Sequence, residues 1–142
     1  MRKILVSLFI IFTQNLFSQT HEIEELVIEL SGNASDSDFS NNTYYYAFDS
    51  CDVSWEIIND SIPDGWIFSF CFPVCYSPGI TSASHVFSNN SEQYLNCHIY
   101  PNNIAGSGLI YMEIITNGIH RDTVEWRATA INDLSFNEYS ET

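Results

Sequence analysis

The chain has 142 residues, the size of one domain, with 18 Asp and Glu against 4 Lys and Arg. Arg2 and Lys3 lie in an N-terminal stretch without acids, so the remainder carries 18 acids against Arg121 and Arg127, a formal charge of −16. That balance excludes nucleic acid and anionic lipid as partners, which select basic surfaces, and an apolar content of 45% excludes a disordered acidic tail.

Met1-Arg2-Lys3 is a short basic start, Ile4 to Phe12 an apolar run, and Thr13 to Gln19 a more polar end. The run is far short of the roughly twenty residues that span a bilayer. Basic, then apolar, then polar order predicts a secretory signal peptide over residues 1–19, cleaved near Ser18 or Gln19. No second apolar stretch of membrane length follows, so no membrane insertion is expected after cleavage. The mature protein is expected outside the cytoplasm.

Beyond the leader the dominant apolar period is two, the period of strands. Leu26, Ile28 and Leu30 alternate with Val27 and Glu29, predicting a first strand that ends at Gly32. Residues 31–43 read as a polar loop and Tyr44 to Phe48 as a second strand. Cys51, Val53, Trp55 and Ile57 alternate with Asp52, Ser54 and Glu56 in the clearest half-buried strand, and Pro63 and Gly65 mark a reversal. Trp66 to Phe72 is apolar enough to predict a central strand, and Pro73 and Pro78 fence a loop around Cys75. Ser84 to Phe87 is a short strand. Leu95, Cys97 and Ile99 form one inward row, and Ile110, Met112 and Ile114 another. Asn117-Gly118 is a hairpin signal, and Thr123 to Thr129 returns with Val124 and Trp126 inward. From Ile131 the alternation fades, predicting a flexible linker or tail over 131–142.

Seven to nine short strands without a helical period predict an all-β fold, an antiparallel β-sandwich of immunoglobulin-like type over residues 22–130. Its core is expected to hold Leu26, Ile28, Leu30, Val53, Trp55, Trp66, Leu95, Ile110, Met112 and Trp126. A domain of this size buries roughly two-thirds of its unfolded surface, enough for one core without a cofactor. In an exported chain cysteines pair. Cys71-x3-Cys75 has half of a zinc spacing, but no second Cys or His pair matches it. The expected disulfides are Cys71 with Cys75, a clip at a strand end, and Cys51 with Cys97, a bridge between strands.

Four stretches together carry a resemblance. They are Val53 to Asn59, Ile62-Pro63-Asp64-Gly65-Trp66, Cys71-x3-Cys75-Tyr76, and Pro101 to Gly108 with its Asn-x-x-Gly-x-Gly pattern. In this order, over residues 50–116, the chain resembles an immunoglobulin-like domain of secreted proteins that use the type IX secretion system. It departs from that pattern at Phe72, where Asp is usual, and in having Cys51 and Cys97 besides the usual pair. The resemblance implies a surface or secreted sandwich whose sorting domain follows a linker like 131–142 and opens on Pro-Asn-Pro. That motif does not occur here, so the sorting domain is expected downstream in the intact gene or to have been lost.

No catalytic set emerges. His21, His85, His98 and His120 are scattered, Ser84-His85 has no orienting acid, and no Gly-x-Ser-x-Gly elbow is present. Neither an enzyme, a cofactor nor a metal site is expected. Asp36-Ser37-Asp38 invites calcium but lacks the glycine and spacing of a calcium loop, and reads as a solvated acidic loop. Tyr44, Tyr45, Tyr46, Tyr94, Tyr100 and Tyr111 invite a sugar-stacking platform, yet such residues ordinarily pack across strands. Asn33, Asn41, Asn59 and Asn89 head Asn-x-Ser/Thr triplets that mark exposed loops. The expected function is a non-catalytic secreted or cell-surface module for spacing, display or adhesion. The alternative is a carbohydrate-binding accessory module, with or without assistance from calcium. The partner, a surface glycan or a protein, is not legible.

Overall fold

A computed structural model of the chain describes residues 19–133. The expected leader and tail lie outside the described residues apart from Gln19 at one end and Ile131, Asn132 and Asp133 at the other.

The described residues form nine strands: β1 (His21–Ile23), β2 (Val27–Asn33), β3 (Phe39–Ala47), β4 (Cys51–Ser61), β5 (Ile67–Cys71), β6 (Ser82–Phe87), β7 (Ser91–Tyr100), β8 (Gly106–Thr116) and β9 (His120–Ile131). They make two sheets, ordered β1-β3-β7-β5 and β2-β9-β8-β4-β6. Alternate side chains point inward. Tyr45, Phe70, Leu95 and Ile99 of one sheet meet Ile28, Trp55, Ile110, Met112 and Trp126 of the other in one core. Phe70 sits between the tryptophans, its ring centre 5.8 Å from Trp126 and 6.1 Å from Trp55. One pair departs from antiparallel order: β2 runs parallel to β9, from Val27↔Glu125 to Asn33↔Ile131. The Asn117-Gly118 hairpin forms as expected, both residues having positive φ (53° and 71°), the geometry a twisted two-residue turn needs.

Four expectations are corrected. Leu26, expected in the core, is 45% exposed. The chain changes sheets between β1 and β2, and Leu26 lies in that crossover, tied by its carbonyl to the Glu125 N–H (2.7 Å). Residues 31–43, expected as loop, are largely strand. Phe39 packs against Gly32, where an added Cβ would stand 2.5 Å from its ring, and Thr43 is buried and accepts the Glu25 N–H at 2.9 Å. Those two burials outweigh the turn-prone Ser40-Asn41-Asn42 between them. The apolar Trp66–Phe72 segment gives an edge strand, β5, instead of a central one. The disulfide loop covers its free edge, with the Tyr76 N–H donating to the Phe70 carbonyl at 2.9 Å.

The fourth correction concerns the cysteines. Cys71 and Cys75 are bonded, but the Cys51–Cys97 bridge does not form, and both thiols are free and buried. Cys51 opens β4 beside Tyr45, whose hydroxyl lies 3.7 Å from its sulfur. Cys97 pairs with Asn41, four residues from Tyr45 along β3, a displacement of about 13 Å at about 3.3 Å per residue. They enter the core at different heights along the sheets, and a bridge needs Cα atoms about 4.4–6.8 Å apart. Each packs as a small apolar side chain, and burial pushes the Cys97 thiol pKa up, keeping it protonated and inert.

Candidate binding face

β3 and β7 pair in continuous register from Phe39↔Ile99 to Ala47↔Ser91. Their outward residues therefore stand side by side: Tyr44 opposite Tyr94, Tyr46 opposite Glu92, and Asn42 opposite Asn96. β1 sets Glu22 opposite Tyr46 from the other side, and β5 sets Ser69 opposite His98. The outer face of the four-stranded sheet is thus aromatic at one end and hydrogen-bonding at the other.

At the aromatic end, Tyr44 meets Tyr94 edge to face at 6.1 Å and Tyr46 at 6.4 Å. From Tyr94 onward one chain of contacts fixes the side chains. Asn96 Nδ2 donates to the Tyr94 hydroxyl (2.7 Å) and faces His98 Nε2 (3.1 Å), while His98 Nδ1 meets Asp38 Oδ2 (2.8 Å). The His98 ring is thus held at both nitrogens, by Asp38 at Nδ1 and by Asn96 at Nε2. Tyr100 stacks on His98 and shares a 3.2 Å hydrogen bond with Ser69. Asn96 is only 4% exposed, and its Oδ1 has no partner.

A hollow of about 290 Å³ opens where the aromatic end meets the β3–β4 turn, lined by Tyr46, Ala47, Phe48, Asn90, Ser91 and Glu92. Desolvation, then the carboxylates of Glu24, Glu92 and Glu22, push the Tyr46 phenol pKa above its ordinary range. Among the described residues these three carboxylates have no ion-pair partner. Both described arginines stand on β9 of the other sheet, Arg121 on Glu113 (2.6 Å) and Arg127 on Glu125 (2.7 Å) and Glu29 (3.4 Å).

The structure sorts the six tyrosines. Tyr44, Tyr46, Tyr94 and Tyr100 share this face. Tyr45 points into the core, where its hydroxyl pairs with Thr116 Oγ1 at 2.7 Å, and Tyr111 lies on the outer face of the five-stranded sheet. Asp36 and Asp38 are both engaged internally, Asp36 accepting the Asn33 N–H (2.7 Å) and Asp38 holding His98. Among the described residues no three His, Cys, Asp or Glu side chains converge to hold a metal ion. Glu22 and Glu92 were missed as members of the face. The available signal was their acid character beside a tyrosine run, but only the register places Tyr46 between them.

A second polar cluster closes one end of the sandwich. Thr20 Oγ1 lies 3.3 Å from His21 Nδ1, and Asp122 Oδ2 lies 2.7 Å from Nε2, the order of a hydroxyl–imidazole–carboxylate relay. The Phe48 and Asp49 N–H groups both donate to the Thr20 carbonyl, at 2.9 and 3.4 Å. The imidazole is stacked on Tyr45 at 5.2 Å. The cluster ties β1 to the hairpin end of β9.

No family model and no curated protein matches the sequence. Solved structures do match. The N-terminal domain of PorA is 12% identical over 73% of this chain and 86% of that one, with a TM-score of 0.56. The ASH/PapD-like domain 7 of human CEP192 is 13% identical over 93% of this chain and 99% of that one, with a TM-score of 0.55. The fold is an immunoglobulin-like β-sandwich. A family 123 glycoside hydrolase from Clostridium perfringens also matches, at 11% identity and a TM-score of 0.51, over 75% of this sandwich but only 23% of that enzyme. At such identities the likeness is one of fold.

Proposed function

We propose that this sandwich is an exported, non-catalytic module that presents the outer face of its four-stranded sheet to a partner, for display or adhesion at the cell surface. The observation that carries the reading is the in-register outward row of Tyr44, Tyr46 and Tyr94, prolonged by the fixed side chains Asn96, His98 and Tyr100. The basic–apolar–polar leader supports export. The resemblance to type IX cargo domains supports surface delivery. The second reading, a carbohydrate-binding module, is supported by the alternation of ring faces and ordered hydrogen-bonding groups along β7.

Two measurements test the reading. The full-length chain, leader included, is expressed in a Gram-negative host and is expected outside the cytoplasm with its N-terminus near residue 20. Retention in the cytoplasm with the leader intact contradicts export. A glycan array then asks whether Tyr44→Ala or Tyr100→Ala removes binding. Loss in either selects the carbohydrate role, whereas glycan hydrolysis by the purified chain contradicts the non-catalytic reading.

A further inference from the structure

Building on that reading of the face, we propose that its Tyr46 end is a receptor for a lysine or arginine side chain presented by a protein partner. Tyr46 lies directly between Glu22 of β1 and Glu92 of β7, two cross-strand neighbours on the same outward face. Directly opposed side chains in an antiparallel sheet have Cβ atoms about 4.5–5.5 Å apart, so the two acidic side chains flank the same tyrosine. A cation placed over a tyrosine face within about 6 Å of its centre is attracted by the ring quadrupole. The two flanking carboxylates add their charge to that attraction.

The hollow beside this ring offers room for the stem of such a side chain. It holds about 290 Å³ between Tyr46, Phe48 and Glu92. Phe48 is 40% exposed, leaving an apolar wall for a methylene stem. Lysine and arginine bury such stems while keeping the charged head at a polar rim.

Charge complementarity selects this occupant over a neutral sugar. The five-stranded sheet sets an arginine on three of its acids, Arg121 on Glu113 and Arg127 between Glu125 and Glu29, while Asp52, Glu56 and Asp60 there have no ion-pair partner among the described residues. The four-stranded sheet presents Glu22 and Glu92 outward with neither Lys nor Arg among the described residues of its strands. A sugar would satisfy the rings and leave that charge unanswered. A cationic side chain answers both.

The test is calorimetric titration of the folded domain with a short capped arginine–glycine peptide and with the same peptide carrying citrulline, its neutral isostere. The arginine peptide is expected to bind about tenfold tighter than the citrulline peptide, and less tightly as salt rises. Tyr46→Ala is expected to weaken binding about two- to fivefold, while Tyr46→Phe, which keeps the ring, retains it. Glu92→Gln weakens binding, and Glu56→Gln, which removes the same charge from the other sheet, does not. Equal affinity for both peptides, or equal losses from Glu92→Gln and Glu56→Gln, overturns the proposal in favour of unspecific attraction to an acidic chain. If the peptide does not bind but glycan binding is lost in Tyr44→Ala, the cation receptor fails and the binding face stands. If neither ligand class depends on Tyr44 or Tyr46, both fail.

Discussion

The two outer faces of the sandwich are built from the same strand geometry and both carry more acids than bases, yet they handle the charge differently. On the five-stranded sheet Glu56 stands directly opposite Glu113, a repulsive pair. Arg121 is bonded to Glu113, and Arg127 joins Glu125 to Glu29 across β9 and β2. On the four-stranded sheet Glu22 and Glu92 flank Tyr46 with no arginine among the described residues of its strands, and the neighbouring outward positions on β3 and β7 are Tyr44 and Tyr94. A face that carries its own arginines already holds part of its complement. A face that keeps charge and ring surface together has its complement elsewhere, and this contrast carries the functional reading.

Both faces rest on one interior, and breaking it gives the largest expected effect. Trp126 is fully buried against Phe70, so Trp126→Ala is expected to cost about 3–5 kcal/mol in chemical denaturation. A much smaller cost would mean that the two sheets do not share a core.

The next effect separates the inward tyrosine from its outward neighbours. Tyr45→Phe leaves the buried Thr116 hydroxyl without a partner and is expected to cost about 1–3 kcal/mol, while Tyr44→Phe and Tyr46→Phe change stability little. The same burial sets a pH dependence. Desolvation by burial raises the Tyr45 phenol pKa above its ordinary 10.0, and the Cys97 thiol rises above its ordinary 9.0 for the same reason. Both groups bind their protons more tightly when folded. Their stabilising contribution is therefore complete below pH 9.0 and is lost as pH climbs through 10.0 and above, where the unfolded chain ionises first. Denaturation midpoints followed across that range should fall, and should fall less in Tyr45→Phe. A flat profile would contradict the inward placement.

Removing the clip is expected to cost somewhat less than the interior change. Cys71→Ser with Cys75→Ser opens a loop of a few residues, worth about 2 kcal/mol by chain entropy. Because this loop covers the free edge of β5, the variant should also show faster amide exchange at Phe70 and Phe72 than elsewhere in the sheet. The smallest effects belong to the surface charges and differ in sign between the faces. Arg121→Gln should destabilise slightly by freeing the Glu56–Glu113 repulsion, and Glu92→Gln should stabilise slightly by thinning the charge around Tyr46. Thermal melts at low salt read both shifts, and the same sign for the two would erase the distinction.

The interior was legible in the sequence because it is written in period two. Val53, Trp55, Ile110, Met112 and Trp126 are buried where alternation placed them. Leu26 obeys the same alternation and fails, because the chain leaves one sheet for the other at that residue, a tertiary event that no local period records. The segment 39–43 reads as a loop by composition and becomes strand because Phe39 and Thr43 find burial. Cys51 and Cys97 both point inward as their strands suggested, but pairing them needed their heights along the sheets, which depend on register. The binding face was half legible. Its tyrosines are visible in the sequence, whereas the three-residue β1 that delivers Glu22 was not foreseen. Tyr44, Tyr45 and Tyr46 are consecutive, so only the paired strand decides which of them face out.

The most direct test of the contrast between the faces is to map, by amide chemical shifts of the labelled domain, where the arginine–glycine peptide binds. The account predicts shifts concentrated at Glu22, Tyr44, Tyr46, Phe48 and Glu92. Shifts concentrated instead at Asp52, Glu56 and Glu113 on the five-stranded sheet, or spread evenly over both faces, would contradict it.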